Sequence, residues 1–225
     1  MPIDAARLAG VYLLTPDTDE HGFERVLEVT RQAMDAGVRV LQYRNKSASR
    51  ERRGDEARRL LALAHSAGAL AIVNDDLEIA LAAGADGLHL GREDDSLEIA
   101  RAQLKNGRLL GASCYDDLER ARRAVAAGAD VLAFGSIFAS STKPAAVRAP
   151  LALLTQARER WPALRIVAIG GINAPNIGEV AAAGAHAAAV ISAVFDAADP
   201  RFAAEELIRQ FERGRLRHES QRATV

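Results

Sequence analysis

Lysine is rare in this chain, and its positions suggest a role in binding phosphate. Of the 29 lysine and arginine residues in the sequence, only three are lysines, namely Lys46, Lys105 and Lys143. Lys46 and Lys143 each lie in a polar cluster that directly follows a predicted strand. A lysine ammonium is a compact charge that pairs with one phosphate oxygen, whereas a guanidinium is a planar fork that needs more room. The two lysines therefore predict a site for phosphorylated ligands.

The cluster around Lys46 offers three different polar groups at alternate positions. Gln42 ends the second predicted strand, and Arg44 and Lys46 follow it. Alternate residues point to the same side of an extended chain, so an amide, a guanidinium and an ammonium would share one face. This combination is suited to a diphosphate.

Two acidic clusters at the ends of neighbouring strands indicate a magnesium site. Asn74 and Asp75 follow the third predicted strand, and Asp94 follows the fourth. Mg²⁺ binds one or two carboxylates together with water and substrate phosphates, so Asp75 and Asp94 are the predicted pair. The adjacent Asp76 and Asp95 are interpreted as helix N-caps instead.

Hydroxyl groups surround the second lysine. Ser140, Ser141 and Thr142 directly precede Lys143, in a loop that begins with glycine and is bent by proline. Such a loop predicts a phosphate cradle.

Two further strand ends are rich in groups that bind phosphate through the backbone. The seventh predicted strand is followed by Gly170 and Gly171, and the eighth ends at Ile191 and is followed by Ser192. Many barrels bind a phosphate through backbone N–H groups at these two places.

His89 and Cys114 are candidates of lower rank. His89 alternates with two leucines on a predicted strand, so it is either a hydrogen-bonded core histidine, which is preferred, or a catalytic base. Cys114 follows Ser113 at the end of the fifth strand and is expected to face the barrel wall or the helix layer rather than substrate.

The elements that must position these residues alternate regularly between short apolar runs and amphipathic stretches. This pattern is typical of repeated βα units around a parallel sheet, and eight units in about 220 residues predict a single α/β domain, a (β/α)8 TIM barrel. A doubly wound open sheet is the alternative. The predicted strands are Val11–Thr15, Val38–Gln42, Ala69–Val73, Gly87–Leu90, Leu109–Ser113, Val131–Phe134, Ile166–Ile169 and Ala188–Ile191.

A recurring Ala-Gly phrase supports the barrel. Gly37, Gly84, Gly128 and Gly184 each end a predicted helix just before strands two, four, six and eight. Each glycine is expected at C′ in a left-handed conformation, at the end of the barrel that carries stability rather than chemistry.

Composition limits the classes of protein that remain. A net charge of −1 and a pI near 6.5 give no support for binding nucleic acid or an anionic membrane. One cysteine excludes an internal disulfide or a cysteine-based metal cluster. Because no leader or long apolar segment is visible, the protein is predicted to be cytoplasmic. The barrel is expected to span residues 1–213, and 214–225 are expected to be a disordered tail. Homo-oligomerisation stays open.

The chain resembles the thiamine phosphate synthase family, over roughly residues 11 to 211. The motifs in order are Gln42-x-Arg44-x-Lys46, Asn74-Asp75, His89-Leu90-Gly91-x-x-Asp94, Gly111-x-Ser113, Ser140-x-Thr142-Lys143-Pro144, Ile169-Gly170-Gly171-Ile172 and Ile191-Ser192. Tyr43 and Asn45 stand where leucine and an acid are more usual, and Ser140 replaces a frequent threonine.

The resemblance implies a transferase that joins a pyrimidine diphosphate to a thiazole phosphate, or its carboxylated form, with release of diphosphate. It implies Mg²⁺ on Asp75 and Asp94, and a pyrimidine cation captured by the thiazole nitrogen. Lys143, Arg44, Lys46 and Ser113 would be catalytic. The implied ligands of the pyrimidine diphosphate are Gln42, Arg44, Lys46, Asn74, Ser113 and Lys143, and those of the thiazole phosphate are Ser140, Ser141, Thr142, Gly171, Ile191 and Ser192.

Two other functions remain open at this point. A thiazole tautomerase of the same fold would move protons and would not need the diphosphate and metal residues. A noncatalytic sensor would bind phosphorylated thiamine precursors without turnover.

Overall fold

Eight parallel strands close into a barrel in chain order, β1 to β8. The structure is a computed structural model that describes residues 3–19, 21–91, 96–104, 107–139 and 147–223. The closed barrel confirms the predicted (β/α)8 fold and excludes the open sheet. The strands are Gly10–Leu14 (β1), Val40–Tyr43 (β2), Leu70–Asn74 (β3), Gly87–Leu90 (β4), Leu109–Tyr115 (β5), Val131–Phe134 (β6), Arg165–Ile169 (β7) and Ala187–Val190 (β8).

Helices follow the strands and surround the barrel. Within the described ranges, no helix is both long and apolar enough to cross a membrane. The helices are Phe23–Asp35 (α1), Arg50–Ser66 (α2), Leu77–Ala82 (α3), Leu97–Gln103 (α4), Leu118–Ala126 (α5), Ala152–Arg160 (α6), Ile177–Ala182 (α7), Ser192–Phe195 (α8) and Pro200–Ala223 (α9).

The strands have two buried faces, which explains why they read as continuous apolar runs. Alternate residues fill the inside of the barrel, among them Tyr12, Val40, Ile72 and Val167. The intervening residues pack outward against the helices in a second, larger cluster. Because both faces are buried, a strand can shift by one residue only by exchanging these two sets.

The predicted helix ends at the Ala-Gly phrases are confirmed. Gly37, Gly84, Gly128 and Gly184 each follow the C-cap of a helix and have φ values of 110°, 72°, 86° and 100°. These left-handed turns lead into the even-numbered strands at the N-terminal end of the barrel. The opposite end therefore carries the residues with candidate chemistry.

The expectation that the chain is disordered from Gly214 is wrong as far as Ala223, because α9 continues to that residue. Ion pairs one helical turn apart stabilise this polar stretch, including Arg215 with Glu212 and with Glu219. Hydrophobic periodicity is weak here, so the sequence pattern does not show the helix.

Close packing on α7 holds the last turns of α9 in place. A Cβ atom on Gly214 would collide with the carbonyl oxygen of Gly178, so glycine is required where the two helices meet. Beyond this crossing, Arg217 Nη2 donates to the Gly178 carbonyl at 3.3 Å. The His218 ring nitrogen Nδ1 lies 3.0 Å from the Ala182 carbonyl. Residues 214–223 are thus part of the helix layer.

Candidate active site

The C-terminal ends of the strands hold the predicted site residues that the structure describes. These are Gln42, Arg44, Lys46, Asn74, Asp75, Ser113, Gly171, Ile191 and Ser192. Five other predicted residues lie outside the described ranges, namely Asp94, Ser140, Ser141, Thr142 and Lys143. Asp95, interpreted as an N-cap, also lies outside them.

An ion pair joins the predicted diphosphate cluster to the predicted metal cluster. Lys46 Nζ lies 2.8 Å from Asp75 Oδ2, and the two side chains are 57% and 20% exposed. The Asp75 backbone has φ of 65°, a left-handed conformation that is uncommon outside glycine. Its N–H donates to the carbonyl of His89 at 2.9 Å, which anchors the turn to β4. Strained backbone of this kind is frequent at functional sites.

Two residues after β1 hold the segment that carries Arg44 and Lys46. Thr15 Oγ1 donates to the Arg44 carbonyl and accepts from the Arg44 N–H, both at 2.8 Å. Asp17 Oδ1 pairs with Arg44 Nη1 at 2.9 Å and accepts from the Lys46 N–H at 2.6 Å. The sequence analysis missed Thr15 and Asp17. Their position directly after β1, the one strand end left out, was the signal that could have identified them.

Gln42 lies deeper, inside the barrel. Its Nε2 donates to the Tyr12 hydroxyl oxygen at 2.8 Å, and both residues are 3% exposed. Burial raises the pKa of Tyr12 above its ordinary value, so the phenol stays neutral. Gln42 is therefore held in one orientation beneath Arg44.

His89 and Ser113 form a second fixed pair on adjacent strands. His89 Nε2 lies 2.9 Å from Ser113 Oγ, and His89 is 8% exposed. Burial lowers the pKa of His89 to about 4. Gly111 leaves room for the ring, because a Cβ there would lie 2.5 Å from His89 Nδ1. A neutral, hydrogen-bonded histidine agrees with the preferred interpretation of a core residue that orients Ser113.

We expect acidification to destabilise the fold through His89. The unfolded chain takes up a proton near the ordinary pKa of 6.5, whereas the folded chain does so only near 4. The contribution of His89 to the free energy of unfolding is therefore fully present above pH 6.5. It is lost as the pH drops toward 4, and the loss is at most about 3 kcal/mol for this residue. Urea unfolding in EDTA across this pH range measures the slope.

The control for that measurement is a pair of histidine substitutions. His89→Gln should reduce the pH dependence, while His21→Gln at an exposed position should not. Burial and nearby basic groups lower the pKa of His186 to about 3, so part of the slope should remain in His89→Gln. Equal slopes in wild type and His89→Gln would contradict the assignment.

The loops after β6 and β7 touch at the predicted thiazole phosphate site. The Ile137 N–H donates to the Ile169 carbonyl and the Phe138 N–H to the Gly170 carbonyl, both at 3.0 Å. Gly171 has φ of 62° and packs against the backbone of residues 138 and 139. Beyond β8, Ile191 is the N-cap residue and Ser192 the first residue of α8.

Helix α2 contributes residues that the sequence analysis did not identify. Arg53 lines a small pocket together with Lys46, Asn74 and Asp75. Glu56 is buried beneath the same segment of chain and contacts Tyr43. Both lie on a helix that reads as an ordinary polar surface helix, so its sequence alone shows no signal for them.

Two interpretations of lower rank agree with the structure. Asp76 is the N-cap of α3, and its Oδ1 accepts from the Ile79 N–H at 3.0 Å. Cys114 packs in the layer between the strands and the helices, and burial raises its pKa to about 12. The thiol therefore stays protonated and faces away from the site.

The described side chains fit the predicted magnesium site in part. Asp75 presents a carboxylate at the open end of the barrel, and a hard oxygen ligand of this kind suits Mg²⁺. Across the described residues, no three His, Cys, Asp or Glu side chains form a metal-binding group. A site with few protein ligands is the usual arrangement where substrate phosphates complete the coordination.

Comparison with known proteins identifies the family of the chain. The sequence profile of a family described as thiamine monophosphate synthase matches residues 11–194. The chain is 50% identical over 210 residues to a thiamine-phosphate synthase of Halorhodospira halophila, covering 93% of this chain and 98% of the relative. It is also 50% identical over 202 residues to a thiamine-phosphate synthase of Thiobacillus denitrificans, covering 90% and 94%.

Solved structures show the same similarity. Thiamine phosphate pyrophosphorylase from Pyrococcus furiosus superposes with a TM-score of 0.83 at 35% identity, covering 94% of this chain and 99% of that protein. 3-Hexulose-6-phosphate synthase from Salmonella typhimurium superposes with a TM-score of 0.70 at 19% identity, covering 92% and 99%, which shows the shared fold alone.

Proposed function

The chain belongs to the thiamine monophosphate synthase family, and from this premise we propose how its site forms thiamine phosphate. The activity is that of a thiamine-phosphate synthase, a transferase. The proposal concerns the substrates, the residues that bind them and the order of bond changes. The observation that carries it is the ion pair of Lys46 with Asp75, at 2.8 Å, between the two clusters predicted to bind diphosphate and metal.

The first substrate is a hydroxymethylpyrimidine diphosphate. Arg44 and Lys46 supply positive charge, and Gln42, Asn74 and Ser113 supply hydrogen bonds near the C-terminal ends of β2, β3 and β5. Support comes from the way each group is held, since Asp17 fixes Arg44, Tyr12 fixes Gln42 and His89 fixes Ser113. Lysine 143, which lies outside the described residues, is proposed as the last cation of this set.

The second substrate is a thiazole phosphate, which also carries a nucleophilic ring nitrogen. Gly171 follows β7, Ile191 and Ser192 follow β8, and all three offer backbone N–H groups. Ser140, Ser141 and Thr142 are proposed to complete the cradle. The hydrogen bonds between the loops after β6 and β7 support one shared phosphate site.

The reaction breaks the carbon–oxygen bond between the pyrimidine methylene and the diphosphate, and the bonding electrons leave with the diphosphate. The lone pair of the thiazole nitrogen then forms the new carbon–nitrogen bond. Arg44, Lys46 and Lys143 stabilise the negative charge that grows on the leaving group. Asp75 and Asp94 would hold Mg²⁺, which would neutralise further charge on the diphosphate.

Positioning matters more than proton transfer in this scheme. A pyrimidine cation reacts with water, so the site must hold the thiazole close and exclude solvent. In the described part of the site, the histidine present is buried and has a lowered pKa, which makes it a weak base near neutral pH. The chain therefore binds and orients two phosphorylated partners.

The test is an assay of diphosphate and thiamine phosphate in the same sample. Both products should appear in equal amounts only when pyrimidine diphosphate, thiazole phosphate and Mg²⁺ are all present. Binding of both substrates without any product would refute the synthase and favour a sensor. Proton exchange in a thiazole substrate without diphosphate release would favour a tautomerase.

We expect Lys143→Ala to lower kcat about tenfold to a hundredfold, with a smaller effect on the KM for thiazole phosphate. The lysine charge matters most as diphosphate leaves, so its loss should affect the transition state more than the bound substrates. Lys105→Ala is the control, because Lys105 precedes a strand in the sequence rather than following one. A raised KM with an unchanged kcat would reassign Lys143 to substrate binding alone.

Magnesium as the metal is part of this proposal. The cytoplasmic location and homo-oligomerisation considered from the sequence stay predictions.

A further inference from the structure

Glu56 is a buried carboxylate that lies outside the predicted site, on α2. Glu56 is only 3% exposed. Glu56 Oε2 accepts from the Tyr43 hydroxyl at 2.8 Å and from Asn45 Nδ2 at 2.9 Å. Glu56 Oε1 accepts from Arg52 Nε at 2.6 Å. A buried charge is costly unless it is paired and hydrogen-bonded, and these three partners supply the pairing and the hydrogen bonds.

Two of the three partners of Glu56, Tyr43 and Asn45, alternate with the proposed substrate ligands. Tyr43 and Asn45 are 3% and 4% exposed and face α2. Arg44 and Lys46, the residues that alternate with them, contact Asp17 and Asp75 at the strand ends. Glu56 therefore holds the segment after β2 by hydrogen bonds on the side opposite the proposed diphosphate site.

A second set of contacts joins the partners of Glu56 to the loop after β1. Asn45 Nδ2 and Arg52 Nη2 both donate to the Thr18 carbonyl, at 3.0 and 2.6 Å. The preceding residue, Asp17, binds the side chain of Arg44 and the N–H of Lys46. Glu56 and its partners thus connect α2, the segment after β2 and the loop after β1 around Arg44 and Lys46.

The protonation of Tyr43 is suited to this arrangement. Burial, followed by the hydrogen bond to Glu56, keeps the pKa of Tyr43 above its ordinary value. The phenol therefore remains a donor to the carboxylate.

We propose that Glu56 is a positioning residue that aims Arg44 and Lys46 at the diphosphate of the first substrate, through Tyr43, Asn45 and Arg52. This inference rests on the proposed function of the site. Tyrosine at 43 and asparagine at 45 are donors that a buried carboxylate can use.

Glu56→Gln is the principal test, because it keeps the shape of the side chain but removes the charge. The NH2 group of the glutamine amide would then face either the donor of Arg52 or the donors of Tyr43 and Asn45. Two donors cannot form a hydrogen bond with each other. The kcat/KM for pyrimidine diphosphate should fall about tenfold or more, while the KM for thiazole phosphate stays within about twofold. Kinetics are compared at a temperature where circular dichroism shows each variant to be folded.

Leu61→Ala is the matched control for a merely structural effect. Leu61 is buried on the same helix but makes none of these hydrogen bonds. Leu61→Ala should lower stability without changing the ratio of the two KM values. If Glu56→Gln behaves like Leu61→Ala, or keeps kcat/KM within about twofold of wild type, the proposal is overturned.

Two further measurements keep the test independent of folding and of turnover. Tyr43→Phe removes one hydrogen bond and leaves the carboxylate paired, so it should show the same selective loss at a smaller size.

Calorimetry with inorganic diphosphate in Mg²⁺ measures binding alone, and Glu56→Gln should bind it at least about fivefold more weakly than wild type. If wild type binds diphosphate but forms no thiamine phosphate, only the proposed function fails. Equal diphosphate affinity in wild type and Glu56→Gln would refute the positioning role.

Discussion

Asp75→Asn should lower kcat about a hundredfold to a thousandfold while leaving the fold intact. The substitution removes the negative charge of the proposed metal ligand and keeps the size of the side chain. The backbone at this position is left-handed, with φ of 65°, and asparagine tolerates that conformation well. The loss of activity should therefore report charge rather than local unfolding.

Initial rates of thiamine phosphate formation across a magnesium titration measure this effect. Asp75→Asn should need more Mg²⁺ for half-maximal rate, because one ligand of the metal has lost its charge. Its thermal unfolding midpoint in EDTA should not fall below that of wild type.

Asp76→Asn is the matched control for this prediction. Asp76 is the neighbouring carboxylate and caps α3, and asparagine is an equally good N-cap. We expect its kcat to stay within about threefold of wild type. If the two variants have the same rates at every magnesium concentration, Asp75 is not a metal ligand.

Gly171→Ala is the second substitution with a large expected effect. A Cβ atom there would collide with the Ala139 carbonyl oxygen and lie 2.8 Å from the carbonyl carbon of Phe138. These atoms belong to backbone that is hydrogen-bonded to the end of β7, so they cannot move aside freely. The added strain at φ of 62° increases the cost.

We expect Gly171→Ala to lower the free energy of unfolding by about 2–4 kcal/mol. The loops after β6 and β7 must separate, so the KM for thiazole phosphate should rise about tenfold or more. Urea unfolding and steady-state kinetics with each substrate varied in turn measure the two effects.

Gly68→Ala separates the collision from the backbone strain. Gly68 has φ of 68°, and nothing lies within 4 Å of a Cβ placed on it. Gly68→Ala should lower the free energy of unfolding by only about 1–2 kcal/mol and keep the kinetics of wild type. Equal losses in the two variants would show that the contact between the loops is unimportant.

The barrel itself could be predicted because its signals are local. The four Ala-Gly phrases end helices through the conformation of single glycines, such as Gly84 with φ of 72°. Strand positions follow from short runs of apolar residues buried on both faces. Polar residues directly after the strands were then placed at one end of the barrel by its topology.

Several features of the site could not be predicted in this way. The partner of Lys46 is Asp75, and the partner of Arg44 is Asp17, each on a different loop. Glu56 is buried on α2, although a glutamate in a helix is expected at the surface. The last turns of α9 depend on the close approach of Gly214 to Gly178.

The sequence by itself determined the (β/α)8 architecture, the strand ends that hold the candidate site residues and the resemblance to the thiamine phosphate synthase family, because periodicity, capping and motif spacing are properties of nearby residues. Only the tertiary structure decided which charges meet, which histidine and carboxylate are buried, and that helix α9 continues past Gly214. Those outcomes depend on barrel closure, which brings distant residues into contact and removes them from water.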